Sequence, residues 1–256
     1  MLIVIPFWDM IINSFKTAEE SFIPTVALPT KWQIAENYEV VIRKGKLVNS
    51  FKNSFIITAF STVLILVMST MAAYVFGRRK DKKIRVFFFL FLMGIITPPS
   101  VIVSTMQLKY MGLLGTYEGM ILYYAATFCS LPIFILTSFM VTIPRDLEEA
   151  AIIDGASPFG IFSRVILPLI RPAVATTFIW VVLKIWNDFL FPLYILAGET
   201  NKYTMILSLY FFRGLFYTAW NLVFADLILV SIPVIIAFVV AQRNIVQGLT
   251  AGALKG

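Results

Sequence analysis

The sequence predicts an all-α fold: one domain over residues 1–256, built as a polytopic transmembrane bundle of about six helical spans with a helix-turn-helix loop at the cytoplasmic face. Three observations predict it. Hydrophobic residues make up 59% of the chain and charged residues only 14%, with a mean hydropathy of +0.87, which is too apolar for a soluble domain of this length. Several apolar runs approach the ~20 residues that a helix needs to cross hydrocarbon. Charges gather in short stretches between those runs, above all at 78–85 and 144–172.

Met1 to Phe15 is apolar apart from Asp9 and Asn13 and reads as the outer part of a shortened first span, with a membrane-surface segment as the second reading. Lys16 to Lys52 is polar and mixed in charge, with Pro24, Pro29, Trp32 and Tyr38, and reads as a solvated external connector without a site. Asn53 to Phe76 is a clean second span. Gly77 ends it, and Arg78, Arg79, Lys80, Lys82, Lys83 and Arg85 follow with one acid, Asp81. So many basic residues in so short a loop place it in the cytoplasm. Val86 to about Gln107 is the third span, broken late by Pro98-Pro99. After an outer turn with Gly112 and Gly115, Gly119 to Thr142 is the fourth span, with a kink expected at Pro132.

That order returns residues 144–172 to the cytoplasmic side, where local signals are dense. Pro144 suits the first turn of a helix, and Asp146, Glu148 and Glu149 sit near its positive end. Asp154-Gly155 is a stop, because glycine supplies the left-handed conformation that closes a helix. Ser157-Pro158 reads as an N-cap followed by proline at the first helical position. A second short helix is predicted through Phe159, Phe162 and Val165, ended by Pro168 and Pro172. At helical spacing Leu147, Ala150, Ala151 and Asp154 share one face, and its two alanines admit a partner backbone.

Ala173 to about Ala197 is the fifth span, Gly198 to Asn221 an external segment, and Leu222 to Ala241 the sixth span, with Pro233 inside it. Gln242 to Gly256 is a small Gly/Ala-rich cytoplasmic tail. Lys184 and Asp188 lie within the fifth span at i and i+4, where they can pair on one face, with Trp186 and Asn187 between them. A charge at mid-span costs roughly 2.5–3.5 kcal/mol by insertion scales, so this face turns away from lipid. Two readings fit it: a self-neutralised polar patch between helices, or the lining of a wet path for a polar, neutral cargo. In the second, Trp186 offers a stacking face and Asn187 a hydrogen bond. Asp226, about one turn into the sixth span, reads as an interfacial carboxylate in contact with water.

Composition also excludes chemistry. There is no histidine, hence no imidazole base or ligand, and the single cysteine, Cys129, precludes an internal disulfide or a thiolate cluster. No GxxxxGK[ST] phosphate loop occurs. The net charge of +7 reads as an orientation signal, not a nucleic-acid surface. No catalytic, cofactor or metal residues are assigned.

Glu149-Ala150-Ala151, Asp154-Gly155-Ala156, Ile166-Leu167-Pro168 and Pro172 resemble, in order and spacing, the EAA loop of permease subunits in binding-protein-dependent ABC importers. Three further stretches are similar to the carbohydrate branch, the maltose- and glycerol-phosphate-type permeases. They are Trp186-Asn187-Asp188-Phe189-Leu190 with Pro192-Leu193, the Ile96-Thr97-Pro98-Pro99 turn, and Gln242-Arg243 to Gly248-Leu249-Thr250-Ala251-Gly252-Ala253. The resemblance implies a subunit of an ATP-driven importer for a sugar or related polyol, forming half of the translocation pathway and performing no chemistry. It implies ATPase docking through Glu149, Ala150, Ala151, Asp154, Gly155, Ala156 and Pro168, with ATP bound and hydrolysed by that partner. It further implies a second, non-identical permease, an external solute-binding protein, and a bacterial or archaeal cytoplasmic membrane with the C-terminus inside. The chain departs from the pattern at its front, where such subunits carry a basic tail and a full first span. The competing class is an ion-gradient-driven secondary transporter, whose coupling pair would have to be Lys184 and Asp188.

Overall fold

The computed structural model of the chain describes residues 4–213 and 218–253, with side chains through Ile236 and at Val239. Among the described residues the fold is helical, with one isolated antiparallel bridge between Arg213 and Thr218. Helix α1 (Val4–Ser14) is followed by an irregular stretch and α2 (Ile34–Lys44), whose Glu36 and whose Arg43 and Lys44 complement the helix dipole. α3 (Leu47–Arg78) begins before Asn53 and, among the described residues, is the unbroken helix that is long and apolar enough to cross a membrane.

The other apolar runs are broken. α4 (Lys82–Ile96) stops where Thr97 turns extended at ψ 116° ahead of Pro98-Pro99, and α5 (Val101–Tyr110) leaves at a bend of 119°. The expected third span is therefore two helices, because proline forces the preceding residue out of the α region. α6 (Tyr117–Phe128) and α7 (Ser130–Thr142) meet at 48°, where Pro132 has no N–H for the Phe128 carbonyl and crowds it. α8 (Asp146–Ile153) and α9 (Pro158–Leu169) form the expected helix-turn-helix, and α9 widens into a π-helical stretch at Ile161–Ile166. Pro168 lies inside α9 and does not end it. The chain turns by 77° after Leu169 into α10 (Arg171–Trp186), which Pro172 helps to start.

α10 ends at Trp186, short of the expected fifth span, and a brief α11 (Leu190–Ile195) follows. Two 3₁₀ turns, Thr200–Lys202 and Ile206–Phe212, lead to α12 (Trp220–Ala253). Its backbone stays helical through Ala253, so the tail read from Gln242 continues α12; residues 254–256 lie outside the described residues. Among the described residues, length and composition single out one continuous helix, three bent pairs that qualify jointly, and a shorter apolar helix over Trp220–Ile236.

Contacts divide the chain into two compact units. The first comprises Met1–Ile57, Thr105–Met120 and Trp186–Ala237. Its apolar core sets Leu47, Trp186, Met205 and Val230 together, and Val41, Phe212 and Ala225 beside Tyr38 and Leu222. A buried polar seam holds the rest. The Lys16 ammonium, 2% exposed, donates to Asn13 Oδ1 and to both Thr25 oxygens. Asn37 Nδ2 donates to the Ser14 and Lys16 carbonyls and accepts at Oδ1 from Asn221 Nδ2 (2.9 Å). Residues 16–52 are therefore pinned at Lys16 and Asn37, which the expectation of a solvated connector did not foresee, while much of the segment, including residues 22–28 and 34–36, is exposed as expected.

The second unit comprises Thr58–Ser104, Ile121–Ile185 and Phe238–Gly256. Within it α3 buries Ser61, Thr62, Ser69 and Thr70, small residues that let helices approach closely. Gly94 on α4 serves the same end, since an added Cβ would lie 2.5 Å from Ser130 Oγ. Met140, Ile161, Ile166 and Ile170 close a core beneath the helix-turn-helix.

Candidate functional site

The loop from Pro144 to Pro172 is built by local capping. α8 ends in a Schellman motif: the Ala156 N–H donates to the Ala151 carbonyl (2.9 Å) and the Gly155 N–H to the Ile152 carbonyl (3.0 Å). Gly155 takes φ +78°, which a residue with Cβ rarely adopts. Ser157 then caps α9, its Oγ accepting from the Gly160 N–H at 3.2 Å, with Pro158 at the first helical position. The turn is thus closed by backbone and by short-range side-chain bonds, and its shape needs no partner.

Of the expected face, Leu147, Ala150 and Asp154 are exposed and Ala151 is not. Glu149, Ala150, Asp154, Gly155 and Ala156 are exposed, but Ala151 is half-buried against the core of Met140, Ile161, Ile166 and Ile170. Pro168 is half-buried as well. Beside the exposed Ala150 and Ala156, the tip displays large apolar side chains, with Ile152 61%, Ile153 85% and Phe159 77% exposed.

Beneath the tip lies a network that sequence reasoning missed. Arg78, at the end of α3, donates from Nε to Glu148 Oε1 on α8 and from Nη1 to the carbonyls of Met140 (2.9 Å) and Ile143 (3.2 Å) at the end of α7. Tyr74 donates to Glu148 Oε2 (3.1 Å), and Arg145 Nη2 reaches back to the Arg78 carbonyl (2.8 Å). The Arg78 and Glu148 side chains are only 11% and 14% exposed. Tyr74 also sets its ring edge-on to Phe162 of α9, with centroids 5.5 Å apart. Arg78 had been read only as one orientation charge among several. It is a strut tying α3, α7 and α8 together.

The polar group of the fifth run is rearranged too. α10 ends at Trp186, so Lys184 and Asp188 do not share a continuous helix, and the i,i+4 geometry expected for them is absent. Asp188 Oδ1 accepts from the backbone N–H of Leu190 (3.1 Å) and Phe191 (3.5 Å), capping α11. Lys184 and Asn187 are exposed. Trp186 is not a free stacking face: it is 8% exposed, packed with Leu47, Met205 and Val230, and edge-on to Phe51 at 6.0 Å. Asp226 is likewise corrected. It is fully buried, accepting one hydrogen bond from Ser208 Oγ (2.7 Å), with Oδ1 unpartnered.

A locally capped polar loop with an apolar tip lies between apolar helices, one of them long enough to cross a membrane. Residues 47–251 match the family model of the binding-protein-dependent transport system inner membrane component. The chain belongs to that family. It is a transport subunit of the membrane, not an enzyme.

Among its relatives, this permease is 32% identical to the probable starch degradation products transport system permease protein of Thermoanaerobacterium thermosulfurigenes, covering 100% of this chain and 93% of that protein. It is 32% identical to the trehalose/maltose transport system permease protein of Thermococcus litoralis, again over 100% and 93%. Its backbone is similar to a chain of a bacterial ABC transporter involved in the import of the acidic polysaccharide alginate. The TM-score is 0.81, at 22% identity over 94% of this chain and 90% of that one, and the likeness bears on fold.

Proposed function

We propose that this permease is one half of the membrane pathway of an ATP-driven carbohydrate importer. Its cargo is a sugar or sugar oligomer, received from an external binding protein. A second, non-identical permease completes the path. Loop 144–172 and the C-terminus lie on the cytoplasmic side, as the basic run 78–85 supports by the positive-inside rule. A separate ATPase binds ATP, and the tip around Glu149, Ala150, Ile152, Ile153, Asp154, Gly155 and Ala156 docks into it. The observation that carries this reading is the pairing of an exposed apolar tip with the buried Arg78–Glu148 strut. The tip supplies the contact, and the strut passes its displacement to α3 and α7 without slack. The sugar class is supported by the names of relatives that align with the whole length of this chain.

In this mechanism nucleotide binding draws the docked loop, and the bundle shifts between outward-open and inward-open populations. The ATPase can bias that equilibrium only by the difference in its contacts with the loop in the two states. Exposed Lys184 and Asn187, with Asp188, face the path, and Trp186 supports them from the core. The test is ATP-dependent uptake of labelled maltose, raffinose or diacetylchitobiose by vesicles carrying the full assembly. Gly155→Asp, which forces a Cβ into the left-handed region at roughly 1–2 kcal/mol and adds charge to the tip, should abolish uptake while the protein still reaches the membrane. Equal uptake without ATP or without the ATPase subunit would falsify the reading.

A further inference from the structure

Between α11 and α12 the first unit holds a cavity of about 360 Å³, within the size range of small-ligand sites. We propose that it is a saccharide subsite that receives one ring of the cargo. This rests on the carbohydrate-importer reading and deepens it, because it assigns the ring to named side chains outside the polar group of Lys184 and Asn187.

The walls are chemically specific. Tyr210 lines the cavity and is stacked on Phe189, with ring centroids 5.5 Å apart and planes 22° from parallel. Trp220 lines it from the start of α12 and is braced by Phe224 at 6.1 Å. The antiparallel bridge between Arg213 and Thr218 sets those two residues opposite each other, and both also line the cavity. Braced aromatic faces beside hydrogen-bonding groups match a pyranose, which has an apolar face of C–H groups and a polar rim.

The polar groups narrow the ligand further. Arg213 offers five donors and no acceptor, and the Trp220 Nε1–H is donor only, while the Tyr210 and Thr218 hydroxyls serve either way. Donors therefore dominate, and no carboxylate is among the lining residues. Such a site favours ring oxygens, hydroxyls or a sugar carboxylate, and disfavours a cationic amino sugar. Among the described residues these four side chains make no hydrogen bond or ion pair of their own. A ligand would satisfy groups that are not already committed. Phe189 belongs to the run from Trp186 to Leu190, so the same short segment that places Asn187 and Asp188 also builds this wall.

The test uses the complete transporter in nanodiscs, without binding protein. Tryptophan fluorescence is titrated with maltose, raffinose and diacetylchitobiose. At least one sugar should give a saturable change that Trp220→Phe removes. By calorimetry, Tyr210→Ala should weaken binding at least tenfold and Arg213→Gln several-fold. Tyr210→Phe, which keeps the ring, should lose no more than two- to threefold. All four variants should co-purify with the ATPase and the second permease, which shows that they assemble. Unchanged affinity in Tyr210→Ala and Arg213→Gln overturns the subsite. So does the absence of a saturable signal for every sugar, or a structure of the assembly with the cavity filled by a lipid headgroup or a side chain of the second permease. ATP-driven uptake by the unaltered assembly separates the two readings. Uptake without binding at the cavity removes the subsite alone, and failure to import any of the three sugars removes the importer reading and the subsite with it.

Discussion

Glu148→Ala is the sharpest perturbation of the coupling loop. It removes the partner of a guanidinium whose side chain is 11% exposed and whose Nη1 is committed to the Met140 and Ile143 carbonyls. The remaining charge cannot swing into water without abandoning those bonds. Breaking a buried pair from one side costs about 3–5 kcal/mol, and the slight exposure argues for about 3. Loss of the Tyr74 hydrogen bond adds about 1 kcal/mol. A further control lies in the same chain: Arg43–Glu39 has the same chemistry, but its side chains are 79% and 60% exposed, so it should contribute only about 0.3–0.5 kcal/mol. A shift of about 3 kcal/mol moves the docked-to-loose ratio of the loop by on the order of a hundredfold. The assay is a double-mutant cycle on Arg78→Gln and Glu148→Gln, read by denaturation of the purified permease and by sugar imported per ATP hydrolysed. The expected coupling energy is about 2–3 kcal/mol, with ATPase activity retained and import lost in each single variant. A coupling energy no larger than that of Arg43–Glu39, with import per ATP intact, would refute the strut.

Two other outcomes follow from the packing. Trp186→Ala empties a core position and should cost about 3–5 kcal/mol in thermal unfolding, whereas Trp186→Phe should cost far less; altered sugar choice with stability intact would return Trp186 to the pathway. Asp226→Asn keeps an acceptor for Ser208 and relieves a buried carboxylate of its unpartnered oxygen. It should be neutral or stabilising by about 1 kcal/mol, checked by the same melts. A stable Asp226→Asn protein that no longer transports would show that the charge itself is needed.

What the sequence determined by itself is what neighbouring residues decide. Gly155 in the left-handed region, Ser157 as a cap, Pro158 at a helix start and the break at Pro98-Pro99 all depend on backbone sterics and hydrogen bonds within a few residues, and each is legible as a short pattern. Family membership was legible for a related reason, since its motifs cluster in those locally folded stretches. The tertiary structure alone decided which apolar residue is core. In a membrane subunit the lipid-facing and protein-facing sides of a helix are both apolar, so periodicity loses its power to separate Ile65 inside from Val63 outside on α3. It alone decided the partners of polar residues far apart in the chain: Arg78 with Glu148, Asn37 with Asn221, Ser208 with Asp226. Such pairs carry no local signal, because a charge in a short loop looks the same whether it orients the protein or braces it. Where burial removes water, an unpartnered polar group is costly, and only the folded chain brings a distant partner within reach.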